Sequence, residues 1–235
     1  MFKLDLVKAK KLKRLLGVLC LTLLFFTACK GLLSGNNEGV ILYDVTYPLP
    51  NESNLDESLL PSTIEFYFDK NKTMTNISAG MGVFNTSIVT DFDKKQLTSA
   101  LHIRMMGKKF RLDLNEQEIK NQLAREPKME IKFLPDTQTI AGYLCKKATC
   151  SFPDGSLPDL NVFYTDAIQL SNPNWYSPYS PIKGVLMEFY IHRYGVHMKL
   201  RAREFKKEKV SADKFEIDSD FISISQKEMD EYYKI

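Results

Sequence analysis

No G-x-S-x-G elbow, H-E-x-x-H pair, Walker loop or Cys-x-x-Cys pair occurs in the 235 residues. These absences remove the usual signatures of serine-hydrolase, zinc-protease, nucleotide-hydrolysing and dithiol chemistry. Cys145 as a nucleophile would need a positioned histidine, and nothing in the sequence places one beside it, so no catalytic residue is assigned and no enzyme is expected. No internal repeat of roughly 20–50 residues is visible, which excludes solenoids and propellers. The longest uncharged apolar run, Leu15 to Ala28, has 14 residues. That is short of the roughly 20 needed to span a bilayer.

The chain also lacks a basic domain. It carries 32 basic and 29 acidic side chains, but six of the basic ones and a single acid, Asp5, precede the apolar run. A positively charged segment followed by an apolar stretch is the layout of an export signal. With residues 1–28 set apart, 26 basic side chains face 28 acidic ones. No nucleic-acid partner is expected, because such binding needs a dense basic face.

The apolar run ends in Phe26, Thr27, Ala28 and Cys29. Small residues immediately before a cysteine resemble the bacterial lipoprotein signal, in which the cysteine sulfur carries a diacylglycerol and the chain is cut in front of it. The resemblance implies lipidation of Cys29, a tether over 29–39 rich in Gly and Asn, and one β-rich domain over 40–235. The expected address is the cell envelope, lipid-anchored and facing the periplasm, since no acidic run follows Cys29. Several acyl chains together hold far better than one, at roughly 0.8 kcal/mol per buried methylene.

From Val40 onward the pattern has period two, which marks half-buried strands. Ile41, Tyr43, Val45 and Tyr47 share a face, and Ile64, Phe66 and Phe68 alternate after them. Strands are expected near 73–78, 83–92, 97–105 and 110–114, with a bend at AGMG (79–82) and a turn at GKK (107–109). Leu97, Ser99, Leu101, Ile103 and Met105 are expected on one side. Asn115 with Glu118 three residues later predicts a capped helix ending before Pro127. Met129, Ile131 and Phe133 are expected to face inward, followed by a turn at DTQT (136–139), strands at 143–152 and 160–165, and a closing hairpin.

In that hairpin Val185, Met187, Phe189 and Ile191 run up one side, and Val196, Met198, Leu200 and Ala202 return on it. The register puts His192 opposite His197, Tyr190 opposite Lys199 and Glu188 opposite Arg201 on a solvated polar face. A strand near 215–217 and a capped helix from Ser225 close the chain. Roughly ten strands and two short helices predict a mostly β (α+β) fold, a strongly curved antiparallel sheet or half-barrel. Cys145 and Cys150 in one strand would lie roughly 16 Å apart, five residues at about 3.3 Å each, beyond disulfide reach and on opposite faces.

The order of TIAGYLCKKATC, VFYTDAI, NWYSPYSPIKGVLMEFYI and KVSADKFEI resembles the GLPGLI family and related lipoproteins of Bacteroidota. The likeness covers roughly Ile140 to Phe221. IKGVLME stands where that family has GLPGLI, as in a sister family. The resemblance implies a fold similar to LolA and LolB, a half-barrel whose concave apolar face can hold acyl chains.

Two regions stand out as candidate sites. An apolar cavity is expected around Met187, Phe189 and Met198. The loop 171–184 concentrates Trp175, Tyr176 and Tyr179 among prolines, suited either to grip a ligand or partner or to plug the curved sheet. His192 and His197 lack the further ligands that zinc requires, so no metal or other cofactor is expected. The stripe Lys199, Arg201, Arg203, Lys206 and Lys207 reads either as a headgroup contact or as a solvated face. The combined expectation is a membrane-anchored protein binding a lipid or other apolar ligand. The alternative is a non-catalytic interaction module of an envelope complex.

Overall fold

Alternation of apolar and polar residues becomes twelve strands in one continuous sheet, seen in a computed structural model that describes residues 37–50, 57–193 and 195–233. Cys29 and the expected export signal lie outside the described residues, as does most of the tether. The first strands are β1 (Gly39–Thr46), β2 (Thr63–Phe68), β3 (Lys72–Ala79), β4 (Phe84–Asp91), β5 (Gln96–Ile103) and β6 (Lys108–Leu114). Helix α1 (Glu116–Leu123) follows, then β7 (Glu130–Ile140), β8 (Tyr143–Ser151), β9 (Leu160–Thr165), β10 (Val185–Arg193), β11 (Val196–Lys206), β12 (Ile222–Ser223) and helix α2 (Gln226–Tyr233). The order across the sheet is β12-β6-β5-β4-β3-β2-β1-β11-β10-β9-β8-β7. Every pairing is antiparallel except the two-residue contact of β12 with β6. The sheet is open and curved, as the period-two pattern and short connections predict.

One face carries the main core. Ile41, Tyr43, Ile64 and Leu200 are almost fully buried, in a cluster that joins β1, β2 and β11. Burying each such side chain contributes roughly 1.5–3 kcal/mol. Helix α1 is held at its start by a reciprocal cap: the Asn115 side chain accepts from the Gln117 and Glu118 amides, and Glu118 accepts from the Asn115 amide. Its narrow apolar stripe, Ile119 and Leu123, packs with Leu112 and Leu114 of β6. Ser225 and Glu228 repeat the arrangement at α2, which lays Met229 against the same cluster.

Turns account for most departures from expectation. The bend at 79–82 is present, with Gly80, Met81 and Gly82 at positive φ. The next turn occupies Arg104–Met106 and closes on Gly107 at φ 60°, three residues earlier than GKK. Met105 therefore leaves the strand and is 82% exposed rather than on the buried side. Likewise DTQT is not a turn: β7 runs through it, and the reversal falls on Ala141 and Gly142, at φ 48° and 81°. Two consecutive positive-φ residues give the tight hairpin whose twist matches the strands. A register shift between Phe133 and Thr137, around Pro135, spoils the alternation, and Phe133 is half exposed rather than inward. Because β7 is the sheet edge, a proline and a bulge are tolerated there and discourage further pairing.

The segment after β11 is also not a strand at 215–217. Phe215 ends a short 3-10 turn, Ala212–Phe215, and packs with Ile217 and Val210 on Met74, Val89 and Tyr67. Met74 and Val89 alternate with Thr75 and Ile88 of the opposite face, so this segment covers the sheet's other side. β3 already has a strand on each side, so the segment docks on it by side chains, while its Val210 amide donates to the Glu38 carboxylate at 2.7 Å.

Candidate functional site

Odd-numbered residues of β3 and their partners on the neighbouring strands point to one face, and there the sheet, the two helices and the 171–184 loop enclose a cavity of about 770 Å³. Its sheet wall includes Tyr43, Ile64, Phe66, Ile77 and Leu114. Ile119 and Leu123 of α1 and Met229 of α2 form the cover. The volume falls within the roughly 300–1,000 Å³ usual for small-molecule sites, and the lining is mainly apolar, as such sites require.

Of the three residues expected to line a cavity, Phe189 and Met198 do and Met187 does not. Met187 is fully buried in the cluster that contains Cys145 and Val185. The cause is a bulge: Leu186 pairs with Tyr164 but Glu188 pairs with Phe163, so one extra residue of β10 lies between them. A bulge inverts the alternation beyond it, and Leu186 takes the place in the wall. Three consecutive apolar residues, Val185, Leu186 and Met187, ahead of the alternating Glu188–Ile191 were the signal in the sequence.

The loop is a fixed wall of the cavity. Tyr176 and Tyr179 line it, together with Pro173 and Pro178. The buried Asn174 amide donates to the carbonyls of Ile182 (2.7 Å) and Gly184 (2.9 Å), which closes the loop on itself. The Tyr179 hydroxyl donates to the Tyr190 carbonyl at 2.7 Å and accepts from the Tyr190 amide at 3.3 Å. It thereby occupies the flank of β10 beyond the last β9 pair, Glu188 with Phe163. Burial pushes the Tyr176 hydroxyl up to about 12 and Tyr179 higher still. Both stay neutral, as an apolar site demands.

Trp175 points elsewhere. Its ring packs where the main cluster meets the cluster of α1 and α2, with the Lys95 ammonium 4.8 Å from the ring centre. Its indole N–H is buried without an acceptor among the described residues. Asn174, which ties the loop, is the functional neighbour that an aromatic count overlooks.

The hairpin register is as expected: His192 opposite His197, Tyr190 opposite Lys199, Glu188 opposite Arg201. The face is less solvated than its polar composition implies. Glu188 is 5% exposed, flanked across its two ladders by Phe163 and Arg201. It accepts from Lys199 at 2.7 Å and from Arg201. Burial pulls the Lys199 ammonium down, the Glu188 carboxylate pulls it up, and the carboxylate wins. Arg203 pairs with Asp44 at 2.9 Å and Lys206 with Glu204 at 3.5 Å, so most of the basic stripe is matched by acids of its own sheet.

Among the described residues no three His, Cys, Asp or Glu side chains gather as a metal site would need. Cys145 and Cys150 are free, buried thiols in different clusters. Burial raises Cys145 to about 11 and Cys150 to about 12, far from the range of an activated thiolate.

No family model and no curated protein sequence matches the chain. Solved structures do. The chain is similar to PNGF-II in two crystal forms: in one the TM-score is 0.52 and in the other 0.50, at 15% identity and over 84% of this chain. It spans about a third of PNGF-II's length, 33% and 32% in the two forms. MucB is more remote, at TM-score 0.38 and 11% identity over 77% of this chain and 57% of MucB. The likeness to PNGF-II concerns the fold alone: an open, curved, mostly antiparallel sheet with short helices.

Proposed function

We propose that this protein binds an apolar ligand, such as an acyl chain, in the cavity between the curved sheet and its helical and loop cover. It does so while held at an envelope membrane through a lipid on Cys29. The observation that carries the reading is the cavity itself, about 770 Å³ and lined mainly by apolar side chains of the sheet, the two helices and the Tyr176–Tyr179 loop. Removing apolar surface from water is worth about 25 cal/mol per Å², so a chain laid along that wall gains affinity without any specific polar contact.

The role is a binder or carrier rather than a catalyst. The two buried thiols are too basic to attack at neutral pH, and the cavity wall is dominated by hydrocarbon. Periplasmic exposure accompanies the lipoprotein-like signal that ends at Cys29.

Native mass spectrometry of the protein purified from its own membranes tests both parts. The expected spectrum shows a diacylglycerol-modified N-terminal Cys29 and an additional noncovalent apolar adduct of defined mass. A chain that begins elsewhere overturns the anchor. A protein that carries no adduct and takes up none when offered fatty acids overturns the cavity.

A further inference from the structure

Among the described residues, those of Asp, Glu, Lys, Arg and His type along the cavity are Glu126, His192, Arg193 and His197. The hairpin divides them between its two faces. His192 and His197 face each other across β10 and β11, and their rings stack with centroids 4.1 Å apart and planes 6° from parallel. Arg193, next in the strand, points to the other face, the one that bears Ile191 and Met198, and reaches Glu126, after α1, at 3.8 Å. The Arg193 charge also acts on the Tyr233 hydroxyl of α2. Gln122 of α1 and Gln226 of α2, hydrogen-bonded to each other, line the cavity as well.

A pocket that is hydrocarbon along its wall and bears at its mouth one permanent cation, Arg193, only loosely held by Glu126, suits a ligand of matching polarity. From this geometry we infer that the mouth is a headgroup site, and that the ligand is an amphiphile with a single anionic group, a carboxylate or phosphate, on its apolar chain. The inference rests on the cavity reading above and adds the class of ligand. Arg193 supplies the guanidinium, whose paired N–H groups match a carboxylate or phosphate.

Glu126 is the competitor. Its contact with Arg193 is long and both side chains are partly exposed, at 54% and 34%. Such a pair is worth little, so an incoming anion displaces it readily. The sign of its removal therefore separates this inference from a merely polar rim: deleting the carboxylate strengthens anion binding, whereas deleting the guanidinium weakens it.

The test is a competition. Full-length protein in detergent is offered equimolar deuterated palmitate and hexadecanol, and native mass spectrometry counts the two complexes. Charge-assisted hydrogen bonds contribute about 1.5–3 kcal/mol, which corresponds to roughly tenfold or more, so the protein is expected to prefer palmitate by about that ratio. Arg193→Gln should bring the ratio close to one while hexadecanol still binds, showing that the cavity is intact. Glu126→Gln should raise it. Replacing palmitate by an alkyl phosphate of equal length separates the carboxylate from the phosphate. Equal binding of acid and alcohol by the unaltered protein, or a palmitate preference that survives Arg193→Gln, overturns the headgroup site and leaves the cavity standing. Failure of both ligands to bind overturns the cavity and the headgroup site together.

Discussion

The Tyr179 hydroxyl sits across the edge of β10, donating to the Tyr190 carbonyl and accepting from its amide. This one side chain does for Tyr190 what a neighbouring strand would otherwise do. It also fixes the loop that walls the cavity.

Tyr179→Phe should therefore cost more than the loss of an exposed hydroxyl. Tyr179 is buried, and without it the Tyr190 amide and carbonyl lose this partner, at about 1–3 kcal/mol for an unsatisfied buried group. A urea titration should show a lowered midpoint with an unchanged slope. Hydrogen exchange should speed up at Tyr190 before it does at Leu200, at the centre of the sheet. Unchanged protection at Tyr190 would contradict the role given to the hydroxyl.

Glu188 is the buried carboxylate of the β10–β11 ladder, accepting from Lys199 and Arg201. Glu188→Gln removes the negative charge that two cations share and leaves one accepting oxygen where there were two. Because Lys199 and Arg201 stay partly exposed, at 28% and 43%, water recovers part of the loss. The expected destabilisation is about 1–2 kcal/mol, below the 3–5 typical when one partner of a fully buried pair is removed. Thermal denaturation at low and high salt should give nearly the same difference, since a buried carboxylate is poorly screened.

Cys145 and Cys150 should behave as silent thiols. With pKa values near 11 and 12, well under one per cent is thiolate at pH 8, and both side chains are shielded from reagent. Labelling with iodoacetamide at pH 8 should be slow for both in the native protein and fast in denaturant. A native rate like that of a free thiol, or a mass two units low that signals a disulfide, would contradict the structure.

Acid should weaken the β5–β6 end of the sheet through Asp113. Burial alone would raise its carboxyl, but the Arg111 guanidinium and the Thr98 hydroxyl outweigh burial and carry it below its ordinary value. A carboxyl depressed in the folded state stabilises above its unfolded pKa of about 3.9, and that contribution vanishes as pH falls through the folded value. The stability difference between the unaltered protein and Asp113→Asn should hold steady from pH 8 to about pH 5 and shrink below about pH 4. Since the side chain is 49% exposed, the plateau should stay under about 1 kcal/mol. A difference that grows on acidification would reverse the assignment.

Where a single physical rule governs a stretch, the sequence was enough to place it. The His192–His197 and Glu188–Arg201 pairs follow from counting outward from the hairpin turn, and the Asn115–Glu118 cap from its spacing. The misplaced elements are those where backbone conformation overrides alternation. Ala141 and Gly142 turn the chain because both take positive φ, a property that DTQT imitates in composition only. The bulge at Met187 exchanges it with Leu186 at the cavity wall, and periodicity alone hides a one-residue slip. Phe215 reads as part of a strand because its neighbours alternate, yet it packs against Met74 and Val89 on the sheet's opposite face. The charged mouth went unread because Glu126 and Arg193 are far apart in the chain and meet only when α1 returns toward the hairpin.

The most direct test of the account is occupancy of the cavity by an apolar probe. The full-length protein in detergent, titrated with a spin-labelled fatty acid, should immobilise one equivalent. Leu186→Trp, which fills the wall between β9 and β10, should abolish that signal while far-UV circular dichroism and thermal midpoint remain near those of the unaltered protein. Met187→Leu, off the wall by one residue, should bind as before. If the probe stays mobile in the unaltered protein, or if Leu186→Trp immobilises it equally well while remaining folded, the cavity is not a binding site.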